Sequence, residues 1–257
     1  MEHLEIVEQI KKKLAEIEQV EDVRIIMAVE SGSRSWGFAS PDSDYDVRFV
    51  YVRRPECYIR LKPMRDVIEW QLDDVYDVSG WDLQKTLRLM YDSNPAIHEW
   101  CNSPIVYKEN ELAEPLRRHS EECFTPKKSL YHYISMAKHN FETYLTGDEV
   151  RLKKYFYGLR PVLAARWVME NGTVPPMLFD DLVETELPPE MRPVVEDLLA
   201  LKKETSELGT GPQIPEINKF IAEQMDLIRE AAEKTEYQRN DREKLEVFFR
   251  DAVFGRE

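Results

Sequence analysis

The spacing of apolar and polar positions changes along the chain, and the change predicts where helices and strands lie. Residues 3–20 place leucine, isoleucine and valine at close to helical spacing, so a surface helix with one buried stripe is expected there. Val23–Val29 is a largely apolar run typical of a buried strand, and Asp46–Val52 alternates as a second strand does. Between them, residues 30–33 (Glu-Ser-Gly-Ser) predict a turn that opens a short helix.

The next elements predicted are a hairpin and a helix. Residues 66–72 and 75–79 flank an Asp73-Asp74 turn, which is typical of two antiparallel strands. A helix is expected over residues 81–91, with Ser79 as its N-cap.

Long amphipathic helices dominate the rest of the chain. They are predicted over residues 130–145 and 150–170, and Pro161 should kink the second unless the helix restarts there. Residues 204–216 are the predicted linker, and a final charged helix is expected over 216–236. The fold class expected is therefore α+β, with strands in the first half and helices in the second.

Composition changes this picture in two ways. The formal net charge of −14 over 257 residues means that a polyanionic partner would have to meet a local basic patch. The three cysteines (Cys57, Cys101 and Cys123) are far apart, which favours a reducing compartment and no structural zinc. No apolar run approaches the roughly 20 residues of a membrane span, so a cytoplasmic protein without a membrane partner is expected.

Two carboxylates stand close together where the second strand begins. Asp44 and Asp46 are two residues apart, and such positions share one face of a strand. They repel each other and have no nearby cation in the sequence, so a divalent metal, Mg²⁺ or Mn²⁺, is the expected partner. The preceding Gly-Ser turn offers backbone N–H groups and a hydroxyl at a helix N-terminus, a geometry that binds phosphate. Together these features predict phosphoryl or nucleotidyl transfer.

The spacing also matches a known pattern. Gly32, Ser33, Arg34, Gly37, Ser43, Asp44 and Asp46 form G-S-R-x-x-G followed by S-D-x-D. This pattern resembles the signature of the DNA polymerase beta nucleotidyltransferase superfamily. In that superfamily the Gly-Ser turn holds the triphosphate, paired aspartates bind two metal ions, and a later strand supplies a third carboxylate. The alternative interpretation is a Gly/Ser turn followed by a solvated aspartate pair.

Four aspartates are candidates for the third carboxylate. Asp73 and Asp74 lie at the predicted turn, where aspartate is common for turn reasons. Asp82 falls in a first helical turn, where a carboxylate suits the helix dipole. Asp77 lies in a short strand that could pair beside the strand of Asp46, so Asp77 is preferred and Asp82 is the second choice.

The resemblance becomes more specific further along the chain. Residues 77–107 and 150–168 look like the RNA-repair-associated branch of predicted nucleotidyltransferases, and the resemblance spans about residues 25–185. It implies a catalytic domain over 1–110, a helical domain over 111–257 that closes over the nucleotide, and a link to RNA end repair.

Cations and aromatic groups that could reach a nucleotide are expected on the helix after residue 150. Lys153, Tyr157 and Arg160 fall on one helical face, with Lys154 nearby, and cations are needed to neutralise a triphosphate. The alternative is a solvated basic face. Arg34, next to the turn, is a further candidate for phosphate, with a salt bridge to an aspartate of its own loop as the alternative.

The sequence thus predicts a metal-dependent nucleotidyltransferase acting on an NTP. Its expected acceptor is an RNA 3′-end, with Gly32, Ser33, Arg34 and Ser43 at the nucleotide and Asp44, Asp46 and Asp77 at the metal. A protein or small-molecule acceptor is the competing hypothesis, because the chain is acidic. A non-catalytic nucleotide sensor is the other, and the metal carboxylates argue against it.

Overall fold

The structure is a computed structural model that describes residues 2–40, 43–72, 75–204, 209–237 and 240–255. The elements of the first half are α1 (Glu2–Glu21), β1 (Val23–Glu30), α2 (Gly32–Ser35), β2 (Tyr45–Arg53), α3 (Pro55–Tyr58), β3 (Val67–Leu72), β4 (Tyr76–Asp82), α4 (Leu83–Tyr91), α5 (Pro95–Cys101), β5 (Val106–Glu109) and α6 (Ala113–Glu122). Those of the second half are α7 (Pro126–Tyr144), β6 (Glu149–Arg151), α8 (Lys154–Asn171), α9 (Phe179–Glu186), a 3₁₀ turn (Pro189–Met191), α10 (Arg192–Glu204), β7 (Thr210–Pro212), α11 (Pro215–Lys234) and α12 (Arg242–Phe254).

The chain forms two compact units, and each of them is built from more than one segment of the sequence. The sheet unit takes the described residues of 2–35, 44–123 and 240–255. The helical unit takes those of 36–43 and 124–239. The α+β class is confirmed. The division into two functional domains at residue 110 stays a prediction. In the division into compact units, the last helix, α12, belongs to the sheet unit.

The sheet unit is built on five strands in the order β3-β4-β2-β1-β5. Only β2 and β4 run parallel to each other, and the other neighbouring pairs are antiparallel. The predicted strands and the β3–β4 hairpin are confirmed, while Asp73 and Asp74 lie outside the described residues. The strand β5 was not anticipated from the sequence.

Both faces of this sheet are covered by apolar side chains, because residues of a strand alternate between faces. On one face α1 packs its stripe of Ile10, Leu14 and Ile17 against the sheet. On the other face Val50 and Val52 of β2 pack in a cluster with residues of α4, α5, α6 and α12. Asp46 and Arg48 belong to the second face, at the end of β2 that precedes the packed valines.

The start of α4 corrects a sequence prediction. Ser79 is not its N-cap, because β4 continues to Asp82. The Asp82 carboxylate caps the helix instead, accepting a hydrogen bond of 2.8 Å from the Gln84 backbone N–H.

The helical unit has a core of its own, formed mainly by α7, α8, α9, α10 and α11. The region predicted as one helix from residue 150 is instead β6 followed by α8, and α8 runs through Pro161. The predicted linker contains β7, which pairs with β6. None of the helices in the described ranges is long and apolar enough to cross a membrane.

A buried histidine in the sheet unit predicts acid sensitivity. His98 of α5 is 1% exposed, with Nδ1 2.8 Å from the Ser120 hydroxyl and Nε2 3.3 Å from that of Ser93. Burial lowers its pKa from 6.5 to about 4. The unfolded chain therefore takes up a proton first, and stability is lost as the pH falls from 6.5 towards 4.

We expect His98 to contribute a loss of roughly 2 to 3 kcal/mol in the free energy of unfolding between pH 7 and pH 4.5. Urea unfolding at both pH values would measure it. His98→Gln, which does not titrate, should show a correspondingly smaller loss on acidification. Equal losses in the two proteins would contradict the assignment.

Candidate active site

Two of the predicted carboxylates lie side by side on the sheet. Asp46 of β2 and Asp77 of β4 are register partners on parallel neighbouring strands. Their side chains are 28% and 30% exposed, respectively, so both remain accessible from solvent. Parallel partners point to the same face of a sheet, and the structure therefore brings these two predicted residues together.

Arg48 lies between them, and this corrects the sequence interpretation that no cation is near the aspartates. Its Nη2 donates to Asp46 Oδ1 at 3.1 Å and to Asp77 Oδ2 at 2.6 Å. Its Nη1 donates to the backbone carbonyl of Asp77 at 2.7 Å. The signal was present in the sequence, because Arg48 follows Asp46 by two residues and so shares its face of the strand.

The electrostatics of Asp46 favour a cation. Burial raises the pKa of its carboxyl, and the charges of Asp77 and Asp44 raise it further. Arg48 and Arg34 act in the opposite direction. Asp44 is exposed just before β2, and its effect on Asp46 places a third negative charge within electrostatic reach of the pair.

A fourth carboxyl group, that of Glu30, is buried next to the backbone of Asp46. It was not identified from the sequence. Glu30 at the end of β1 is fully buried and accepts hydrogen bonds from the Asp46 backbone N–H at 2.9 Å and from the Tyr107 hydroxyl. Burial raises the pKa of Glu30 to about 7, although both hydrogen bonds oppose that shift. The only hint in the sequence was an acid directly after a buried run, which was read as the start of the turn.

The Gly-Ser turn packs directly against Asp46. Gly32 has a φ of +61°, and a Cβ built there would overlap the Asp46 carboxylate. The Ser31 N–H donates to the Asp46 carbonyl at 2.8 Å, and the Ser35 hydroxyl donates to the Gly32 carbonyl at 2.9 Å. Ser33 is buried in the same turn. Only glycine combines this backbone conformation with such a close approach.

The Arg34 side chain, which belongs to the Gly-Ser turn, is held by Asp44 and Tyr45. Its Nε donates to the Asp44 carbonyl at 3.0 Å, and its guanidinium lies 3.8 Å from the centroid of the Tyr45 ring. These contacts fix the cation next to the aspartates. The sheet unit thus gathers Gly32, Ser33, Arg34, Asp44, Asp46 and Asp77.

Asp82 lies elsewhere on the same strand. It is five residues after Asp77, or roughly 17 Å along a strand. It is 5% exposed, and its second carboxylate oxygen accepts a hydrogen bond of 2.9 Å from the Tyr58 hydroxyl. Asp82 is therefore occupied as a helix cap, and among the described candidates Asp77 is the one beside Asp46.

The remaining predicted nucleotide-binding residues belong to the helical unit. Ser43 hydrogen-bonds to Ser40, with 3.0 Å between the two hydroxyl oxygens. Lys153 is exposed just before α8. The Lys154 Nζ lies 4.1 Å from the centroid of the Tyr144 ring and 5.0 Å from that of Tyr157.

Arg160 and Trp36 are buried in the helical unit. The Arg160 side chain is 1% exposed, and its guanidinium lies 4.3 Å from the centroid of the Trp36 ring. The Trp36 ring also meets Tyr157 edge-on at 5.7 Å. This packing makes Trp36 part of the core of the helical unit, whereas contact of Arg160, Lys153, Lys154 or Tyr157 with phosphate stays a prediction.

The carboxylates fit a hard divalent cation in their chemistry, because Mg²⁺ and Mn²⁺ prefer oxygen ligands. However, the Arg48 guanidinium already binds the carboxylates of Asp46 and Asp77. Among the residues that the structure describes, no three histidine, cysteine, aspartate or glutamate side chains are grouped to hold a metal ion. That Asp44, Asp46 and Asp77 hold a metal ion stays a prediction.

Comparison with known proteins identifies relatives. A sequence model described as RlaP, RNA repair pathway DNA polymerase beta family, matches residues 6–251. The uncharacterized protein YcgL of Bacillus subtilis is 48% identical over 236 residues, which cover 91% of each chain. A crystal structure of a nucleotidyltransferase-like protein from Exiguobacterium sibiricum aligns with 96% of this chain and 81% of its own, at 12% identity and a TM-score of 0.32. That score is too low to support a structural argument.

Proposed function

Because the chain belongs to the RNA repair pathway DNA polymerase beta family, a polymerase-beta-type nucleotidyltransferase family, we propose that it transfers a nucleoside monophosphate from an NTP to a hydroxyl acceptor and releases pyrophosphate. The observation that carries the proposal is the in-register pair of Asp46 and Asp77, of which Asp46 lies against the Gly32 turn. Paired carboxylates that hold metal ions beside a turn with backbone N–H groups would serve in-line attack on an α-phosphate.

The proposed roles follow from the positions of the residues. Asp44, Asp46 and Asp77 would hold divalent metal, Mg²⁺ or Mn²⁺, and in a two-metal arrangement the ions would neutralise charge on the attacking and leaving oxygens. Asp77 would also accept the proton of the attacking hydroxyl. Glu30 orients Asp46 from below, because it accepts the hydrogen bond of the Asp46 backbone N–H.

Phosphate binding is assigned to the turn and its cation. Backbone N–H groups of Gly32 and Ser33, with the Ser33 hydroxyl, would hold the β- and γ-phosphates. Arg34 is fixed beside them by Asp44 and Tyr45 and would neutralise part of the triphosphate charge. Ser43, Lys153, Lys154, Tyr157 and Arg160 are proposed as further nucleotide contacts.

The proposed acceptor is the 3′-hydroxyl of an RNA, and the family description supports this class. The experiment incubates the full chain with Mg²⁺, RNA and each NTP carrying label at the α-phosphate. Label should enter RNA, and label at the γ-phosphate should not. RNA whose 3′-terminal ribose has been oxidised with periodate should accept nothing, because its hydroxyl acceptor is gone.

Two variants connect transfer to the site. Asp77→Asn should abolish incorporation, whereas Asp66→Asn should leave it unchanged, because Asp66 is an exposed residue whose carboxylate pairs with Lys85 at 3.4 Å. Both substitutions remove one negative charge. Equal incorporation by the two variants would refute the assignment of Asp77.

A second acceptor class is favoured by one observation, the net charge of −14. An acidic chain repels RNA at long range unless a local basic surface offsets the field. A protein or small-molecule acceptor is therefore the competing proposal. Label that appears in a pool of proteins and not in RNA would establish it.

A further inference from the structure

The contacts of Arg48 support an inference about how metal reaches the aspartates, and this inference rests on the proposed function. The guanidinium occupies the space between the Asp46 and Asp77 carboxylates, where a cation shared by both would have to bind. We propose that Arg48 is a positioning residue of the carboxylate pair, which holds the pair closed in the absence of metal and must release it before metal binds.

The contacts of Arg48 suit such a role. Its side chain is 18% exposed, and its hydrogen bonds reach two carboxylates and the backbone carbonyls of Asp77 and Val47. A planar guanidinium can serve several acceptors at once, whereas a lysine ammonium is a compact point charge. Arg48 therefore holds two neighbouring negative charges at close range.

The same contacts place Arg48 in competition with metal. Asp46 Oδ1 and Asp77 Oδ2 both accept a hydrogen bond from Nη2, so the guanidinium bridges one oxygen of each carboxylate. A divalent ion that bridges the pair needs oxygens from both residues. Like charges repel, so the ion and the guanidinium do not share that space. Metal affinity is consequently reduced by the contacts that Arg48 must give up.

The test measures Mn²⁺ binding by electron paramagnetic resonance of the free ion, with the full chain and without nucleotide. Arg48→Gln should bind about ten-fold more tightly than the wild type, the size of one lost charge-assisted hydrogen bond. Arg48→Lys should lie between them. The matched control is Arg54→Gln, which removes the same charge just after β2, where Arg54 forms an exposed pair with Asp22. It should bind like the wild type.

Thermal unfolding gives a second measurement that does not depend on activity. Without metal, Arg48→Gln should melt at a lower temperature than Arg54→Gln, because Asp46 and Asp77 then repel without compensation. Added Mn²⁺ should raise the melting temperature of Arg48→Gln more than that of the wild type. Mn²⁺ binding by Arg48→Gln that equals or falls below that of Arg54→Gln overturns the proposal.

The assay for nucleotidyl transfer separates this inference from the proposed function. An active enzyme whose Mn²⁺ affinity is insensitive to Arg48 refutes only the role of Arg48. A protein that transfers no nucleotide, but whose Mn²⁺ affinity rises in Arg48→Gln, refutes only the proposed function.

Discussion

We expect the substitution Asp46→Asn to lower the rate of nucleotidyl transfer about 10³-fold or more, the loss that follows when several kcal/mol of metal-assisted stabilisation disappear. The amide keeps the shape of the side chain and removes its charge. Asp46 lies at the centre of the site, in contact with the Gly32 turn, Arg48 and, through its backbone, Glu30.

The same substitution, Asp46→Asn, should change the stability of the protein much less than its activity. Burial and two neighbouring carboxylates raise the pKa of Asp46, so its charged form is unfavourable in the folded protein. Neutralisation relieves this cost and at the same time gives up the bond to Arg48. The melting temperature of Asp46→Asn should therefore stay close to that of the wild type. Single-turnover transfer and thermal unfolding, measured beside Asp66→Asn, would check both statements, and an active Asp46→Asn enzyme would refute the metal mechanism.

The second large effect is expected for Gly32→Ala. The φ of +61° alone makes alanine unfavourable, and the new Cβ would also overlap the Asp46 carboxylate. Either the turn or the carboxylate must move, so we expect transfer to be lost together with about 1 to 3 kcal/mol of stability.

A matched control separates the two causes. Gly172, at the C-terminal end of α8, has a φ of +66°, and a Cβ built there meets nothing within 4 Å. Gly172→Ala therefore measures the cost of the backbone conformation alone, about 1 kcal/mol. Chemical denaturation of both variants gives the difference, which is the cost of the contact with Asp46. Equal destabilisation with full activity in Gly32→Ala would show that the turn is not part of the site.

Much of the site was predictable because its signals are local. Gly32, Asp44 and Asp46 lie within fifteen residues, and the apolar runs on either side mark two strands. The choice of Asp77 rested on its short strand pairing beside β2, and the register of β2 with β4 has Asp77 opposite Asp46. The same alternation places Arg48, two residues after Asp46, on the same face of β2.

Other features depend on contacts that no local pattern contains. Glu30 becomes buried because Tyr107, on a strand of distant sequence, covers it with a hydrogen bond. The solvated basic face, which was the alternative for Arg160, does not hold for this residue, because its side chain is 1% exposed and its guanidinium lies against the Trp36 ring. An amphipathic pattern identifies which face of a helix is buried and does not identify the partner. For the same reason nothing in the sequence assigned α12 to the sheet unit.

The position of α12 bears on how the protein folds during synthesis. Leu245, Phe248, Ala252 and Val253 complete the apolar cluster on one face of a sheet whose first strand begins at residue 23. Until the ribosome has added residue 253, that face is covered by α4, α5 and α6 without a complete α12, whereas the described core of the helical unit extends no further than Ala232. During synthesis, the helical unit should therefore fold first, and the sheet unit, which carries the carboxylate pair, should complete its folding last. Truncation after residue 237 would expose apolar side chains on that face of the sheet unit, and a chain shortened in this way is expected to aggregate.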